Sequence, residues 1–124
     1  MNASDYCTIT TTTDNKENAE RITQTLLQEK LVACVQSSTI ESAYRWKGKI
    51  IHSQEIKLDI KTRVSLFPKV KETIEVLHTY DVPEILMIRM DDGKFDYLRW
   101  IAQETDRKEY CESADETLLQ KLEN

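Results

Sequence analysis

The side chains with the widest choice of chemistry are a histidine, a glutamate and a cysteine. His78 and Glu84 are joined by a short segment, and Cys34 comes from a separate extended stretch. Imidazole, carboxylate and thiolate converging on one point would suit a borderline cation such as Cu2+ or Zn2+, so these three are the candidate metal ligands. Each also has an ordinary structural role. A histidine in the last turn of a helix can interact with the free carbonyls there, a cysteine on an apolar strand face packs as a small hydrophobe, and Glu84 can cap or pair locally.

Catalysis has less to work with. His52 and His78 are the only histidines, and neither has a serine or cysteine motif beside it that would make a nucleophile and base. Thr10 to Asn15 offers no glycine-bearing anion loop with an arginine, and no phosphate-cradling glycine pattern occurs elsewhere. A net charge of -5, with acidic and basic residues mixed along the chain, disfavours a nucleic-acid partner. An aromatic RNA-binding sheet is disfavoured too, because Ile56, Leu58 and Ile60 must face helices while their neighbours are Lys and Asp. The expectation is a binding protein, not an enzyme.

Bulk features set the frame. The 124 residues fit one domain, with a core over about residues 6–107 and a polar tail over 108–124. No stretch approaches the roughly 20 apolar residues that cross a bilayer, and Met1 to Tyr6 lacks the layout of a secretion signal, so a cytoplasmic location is expected. Cys7, Cys34 and Cys111 are odd in number and widely spaced, which reads as reduced thiols and not as a disulfide framework. Two glycines and two prolines leave no room for flexible linkers.

The elements that must position the candidates follow from periodicity. Tyr6 to Thr13 has the β-branched composition of a strand. Asp14 with Glu17 resembles a capping box, opening a helix whose apolar stripe is Ala19, Ile22, Leu26 and Leu27. Val32, Cys34, Ile40, Tyr44 and Trp46 then share one face of a long extended segment, and Lys47-Gly48 turns the chain tightly into a return strand bearing Ile56, Leu58 and Ile60. Ser65 is expected to cap a second helix with Pro68 in its first turn, a stripe of Leu66, Val70, Ile74 and Leu77, and an end near His78. Ile85 to Ile88 is apolar on both faces, which predicts a strand covered on both sides or placed centrally. Asp92-Gly93 ends it, and Phe95, Leu98, Ile101 and Ala102 mark a third helix. In the tail, Leu118, Leu119 and Leu122 predict a short docked or frayed helix.

The order strand, helix, strand, strand, helix, strand predicts a ferredoxin-like split βαβ fold, α+β, with a four-stranded antiparallel sheet, two helices on one face and a third helix added. The hairpin strands could each run to about 14 residues, more than twice the usual length, so their ends should project. Tyr44, Trp46, Ile50 and Ile51 lie on that projection, where strand exchange between subunits would cover them; the third helix or the tail of the same chain is the alternative cover.

The hairpin carries a resemblance. Ser42-Ala43-Tyr44-Arg45-Trp46-Lys47-Gly48-Lys49-Ile50 resembles the S-x-Y-x-W-x-G-K-(I/L) signature of the CutA divalent-cation tolerance family. Lys30 to Val35 is similar to that family's K-L-A-A-C-(V/A) run, Glu55 to Thr62 to its E-x-x-L-x-(I/L)-K-T strand, Tyr80 to Leu86 to its Y-x-x-P-E-(I/L)-L turn, and Tyr97 to Trp100 completes the series. The likeness spans about Ile9 to Ala102 in consistent order. It implies a ferredoxin-like subunit in a homotrimer with strands paired between subunits, a link to tolerance of copper and other divalent metals, likeness to PII signalling trimers, and no enzymatic reaction. Two positions depart from it: Thr11 stands where some members have a cysteine, and the family's H-P-Y is His78-Thr79-Tyr80.

Tyr44, Trp46, Tyr80, Tyr97 and Trp100 could line a cleft between subunits or simply pack an interface. Three functions stay open: a trimeric divalent-metal binding protein; a PII-like regulator that senses a small anionic metabolite between subunits and signals to a protein partner; and a purely structural assembly module.

Overall fold

The computed structural model describes residues 2–107. Cys111 and the leucines at 118, 119 and 122 lie outside the described residues. The elements run β1 (Tyr6–Thr13), α1 (Lys16–Gln28), β2 (Cys34–Trp46), β3 (Lys49–Arg63), α2 (Phe67–Leu77), β4 (Ile85–Arg89) and α3 (Phe95–Glu104). The sheet order is β2-β3-β1-β4 with every pair antiparallel, which is the ferredoxin-like arrangement.

Pleating divides the side chains between two faces. Cys7, Ile9, Leu58 and Ile60 point towards α1 and α2 and form the main core with Ile22, Leu26, Leu31, Val32, Val70, Ile74 and Leu77. The other face carries Thr8, Thr10 and Thr12 beside Lys61, Asp59 and Lys57, and α3 covers one end of it by packing Leu98 and Ile101 on Tyr6. The rest of this second face has no element over it among the described residues.

Several boundaries differ from expectation, each for a local reason. Asn15, not Asp14, caps α1: its side chain accepts from the Asn18 N–H at 3.0 Å. Leu27 leaves the buried stripe and is 38% exposed, while Asn18 joins it, donating from Nδ2 to the Leu77 carbonyl and accepting from the Thr13 hydroxyl. Ser65 lies in a 3-10 turn, and Leu66 occupies the cap position of α2 with no side-chain hydrogen bond, so Pro68 is the local signal that starts that helix. Val32 packs in the core ahead of β2, and the β2 residue that reaches the core is Val35, on the face opposite Cys34. Finally, β4 is an edge strand, not a central one: Ile85 and Met87 pack on the core while Leu86 and Ile88 stand exposed on the second face.

The hairpin is long. β1 stops pairing with β3 at Thr13 opposite Ile56, yet β2 and β3 continue from Ile40 opposite Glu55 to Trp46 opposite Lys49. At about 3.3 Å per residue that arm extends roughly 20 Å beyond the rest of the sheet. Its two-residue turn has Lys47 at φ 50° and Gly48 at φ 78°, the mirror-type geometry that matches strand twist.

Candidate functional site

The chain brings its polar groups together where β1 ends and the hairpin arm begins. His78 closes α2, its backbone N–H bonded to the Ile74 carbonyl at 2.8 Å. Its ring Nε2 lies 2.8 Å from the Thr12 carbonyl, and Nδ1 receives the Tyr80 N–H at 3.0 Å. A carbonyl only accepts and an N–H only donates, so Nε2 carries the proton and the Nδ1 lone pair is already used. His78 thereby ties the segment after α2 to the end of β1.

That segment places Tyr80 over β3, where its hydroxyl donates to the Glu55 carboxylate at 2.8 Å. Glu55 is only 7% exposed. Burial, the hydrogen bond to Glu55 and the charge of Glu55 together push the Tyr80 phenol well above its ordinary range, with Asp14 and Tyr44 adding in the same direction. Two residues back along the same face of β3, the Ser53 hydroxyl oxygen is buried without a hydrogen-bond partner.

The three candidate ligands do not meet. Cys34 is half-buried, sits opposite Lys61 in the β2–β3 ladder, and lies against Tyr97 of α3, whose phenol is pushed up by burial first and then by Cys34. Lys61 pairs with Thr8, whereas His78 is fixed to Thr12, four residues further along β1. That separation is roughly 13 Å at the strand rise. Glu84 is exposed, and no group of three His, Cys, Asp or Glu side chains able to hold a metal exists among the described residues. With both ring nitrogens of His78 engaged, the donor set of one subunit does not fit a metal centre at these three positions.

The aromatic candidates are likewise separated. Tyr97 and Trp100 stack obliquely on α3 with ring centroids 5.6 Å apart, near the Cys34 end of β2. Tyr44 and Trp46 stand exposed near the far end of the same strand, and Tyr80 lies between the two groups. Twelve residues of extended strand from Cys34 to Trp46 span roughly 40 Å. Glu55 is the residue missed as a candidate. In the sequence it shares a face with Lys57, Asp59 and Lys61 and gives no sign of burial; in the structure it is buried with the Tyr80 hydroxyl bonded to its carboxylate.

With this geometry, the relatives can be compared. The sequence profile of the CutA1 divalent ion tolerance protein matches residues 7–104. The chain belongs to this family. Among its relatives, the divalent-cation tolerance protein CutA of Pyrococcus horikoshii is 43% identical over 95 residues, 77% of this chain and 93% of that one. Human protein CutA is 35% identical over 96 residues, 77% of this chain and 54% of the human protein. Among solved structures, the periplasmic divalent cation tolerance protein CutA from Archaeoglobus fulgidus aligns with a TM-score of 0.80 at 35% identity, covering 82% of this chain and 99% of that one. CutA from Xylella fastidiosa aligns with a TM-score of 0.80 at 38% identity, covering 83% and 100%. The CutA1 match ends close to the end of α3 and leaves the tail from Lys108 outside it.

Proposed function

We propose that this CutA1-family chain acts as a non-enzymatic homotrimer in the cellular response to divalent cations, copper among them. The observation that carries the reading is the division of the sheet's second face. Its hairpin aromatics Tyr44 and Trp46 and its α3 aromatics Tyr97 and Trp100 lie at opposite ends of one subunit, while Leu86 and Ile88 are exposed between β1 and solvent. Surfaces of this kind are covered by association, and a projecting arm that passes onto the next subunit would carry Tyr44 and Trp46 away from their own α3.

Within such an assembly the cation would be held between subunits. Cys34 and Glu84 are the donors that remain, because His78 is committed to Thr12 and Tyr80. The two described cysteines, Cys7 and Cys34, are unpaired thiols, which supports a reducing compartment and a cytoplasmic location. Among the described residues no helix is long and apolar enough to cross a membrane.

Calorimetric titration of Cu2+ and Zn2+ into reduced, metal-free protein tests the reading. Sub-micromolar binding at a fixed ratio per trimer, weakened at least about tenfold in Cys34→Ala or Glu84→Gln and unchanged when light scattering confirms the same oligomer, is the expected result. Weak binding without fixed stoichiometry that ignores both substitutions would remove the metal site.

A further inference from the structure

A groove of about 400 Å³, the size of a small-molecule pocket, runs between α1 and β2 on the helical side of the sheet. Ala19, Ile56 and Leu58 form its apolar floor. Lys16, Glu20 and Thr23 stand along the helix wall, and Ser37 and Thr39, opposite Leu58 and Ile56 in the β2–β3 ladder, form the strand wall. Short hydroxyl side chains at these two positions leave the space open, whereas Val35, two residues earlier on the same face, packs on the core. α1 passes into β2 through a short turn, and Lys16 and Thr39 are the lining residues farthest from it on their two walls. Tyr44 and Trp46 point to the opposite face, so the groove is separate from the surface proposed for association.

The polar side chains around the groove are uncommitted. Among the described residues no side-chain hydrogen bond or ion pair engages Lys16, Glu20, Thr23, Ser37 or Thr39. Lys16 and Glu20 lie one turn apart, about 6 Å between Cβ atoms, yet stay beyond ion-pair distance of each other. Their order also works against the helix. Lys16 is the first residue of α1, where the macrodipole disfavours a cation, and a lysine four residues before a glutamate is the weaker arrangement of such a pair. A carboxylate beside Lys16 would remove the first conflict, and an ammonium beside Glu20 would complete a neutral site.

We infer that this groove binds a free α-amino acid with an aliphatic side chain. The ligand carboxylate lies against the Lys16 ammonium and accepts from the Thr39 hydroxyl, the α-ammonium donates to the Glu20 carboxylate, and the aliphatic side chain lies on Ile56 and Leu58 towards Thr23 and Ser37. A simple carboxylate would leave Glu20 unpaired and a simple amine would leave Lys16 unpaired, so the two charges together select a zwitterion. The apolar floor favours leucine over glycine, because each methylene removed from water adds to binding. The site lies within one subunit and contains neither Cys34 nor Glu84, so it stands apart from the metal reading and from the trimer.

Calorimetric titration of L-leucine into the purified full-length protein, with EDTA present, tests the site. Isocaproate and isoamylamine serve as the analogues that lack the ammonium and the carboxylate, and the variants are Lys16→Gln, Glu20→Gln and Ser37→Leu. All three substitutions fall on exposed side chains outside the core, so the fold is retained, which far-ultraviolet dichroism checks. The expected result is saturable binding of leucine at one per chain, weakened at least about tenfold by either charge substitution and for either analogue, and lost in Ser37→Leu, whose side chain fills the groove without changing its charge. No saturable binding of leucine up to about 10 mM overturns the inference. Binding that any of the three substitutions leaves unchanged would place leucine elsewhere and overturns it too. Isocaproate bound as tightly as leucine would leave Glu20 without a role, and that outcome overturns the zwitterion.

Discussion

At the scale of single residues the fold separates groups that the sequence presents as equivalent. Cys7 and Cys34 both sit on strands, but Cys7 is fully buried, and burial lifts its thiol from 9.0 to about 11, partly opposed by Arg89. A raised thiol contributes stability that is complete below pH 9 and is lost as pH rises towards 11, because the unfolded chain releases its proton first. Stability should therefore fall by up to about 1.4 kcal/mol per pH unit across that window, and denaturant titrations of Cys7→Ala should show the slope removed. Tyr80 acts in the same direction at higher pH. It also completes the one hydrogen bond seen on the buried Glu55 carboxylate, so Tyr80→Phe should cost about 1–3 kcal/mol in urea unfolding, and clearly less in a Glu55→Leu background where no carboxylate is left stranded. A Tyr80→Phe loss unchanged by that background would remove the pair as its cause. The sequence marks His78 as a helix-closing residue, and so it is, since that role is set by neighbours within four positions. Glu55 was illegible because the Tyr80 hydroxyl that bonds it comes from twenty-five positions away.

At the scale of elements, the strands and helices were legible wherever one face is buried. The limits of β1 and the Lys47-Gly48 turn follow from composition and periodicity, because alternation and turn chemistry act locally. The errors fall where two signals competed. Asp14 and Asn15 can both cap, and Asn15 wins through its bond to Asn18, which in turn holds the end of α2. An all-apolar β4 reads as central because the pattern alone does not separate an apolar face that is buried from one that stands exposed, as Leu86 and Ile88 do. Two positions are strained for lack of a better residue. Lys30 ends α1 at φ 56°, with its N–H on the Leu27 carbonyl and the Leu31 N–H on the Leu26 carbonyl, a helix-closing pattern that favours glycine. Lys30→Gly should raise stability by about 0.5–1 kcal/mol, and Lys47→Asn, which suits the first position of the mirror-type turn, should also raise it, both read as a shift in the denaturation midpoint without a change in its slope.

At the scale of the whole molecule, one sheet has a finished side and an unfinished one. α1 and α2 close the first, and α3 closes only the Tyr6 end of the second, leaving Leu86 and Ile88 at 55% and 64% exposed on β4, the edge strand across β1 from the hairpin. Exposed apolar residues on an edge strand mark a surface suited to association. The proposed trimer uses that face three times, so a charge placed there acts at every interface, whereas the subunit core, built from Ile9, Leu58, Ile60 and the two helices, is untouched. Leu86→Lys/Ile88→Lys should thus yield a folded monomer at micromolar concentration by light scattering, with native far-ultraviolet dichroism and a melting temperature that has fallen because association no longer adds to stability. A variant that remains trimeric would show that the face is not the interface, and a native protein that is monomeric under the same conditions would end the assembly model and, with it, any cation site shared between subunits.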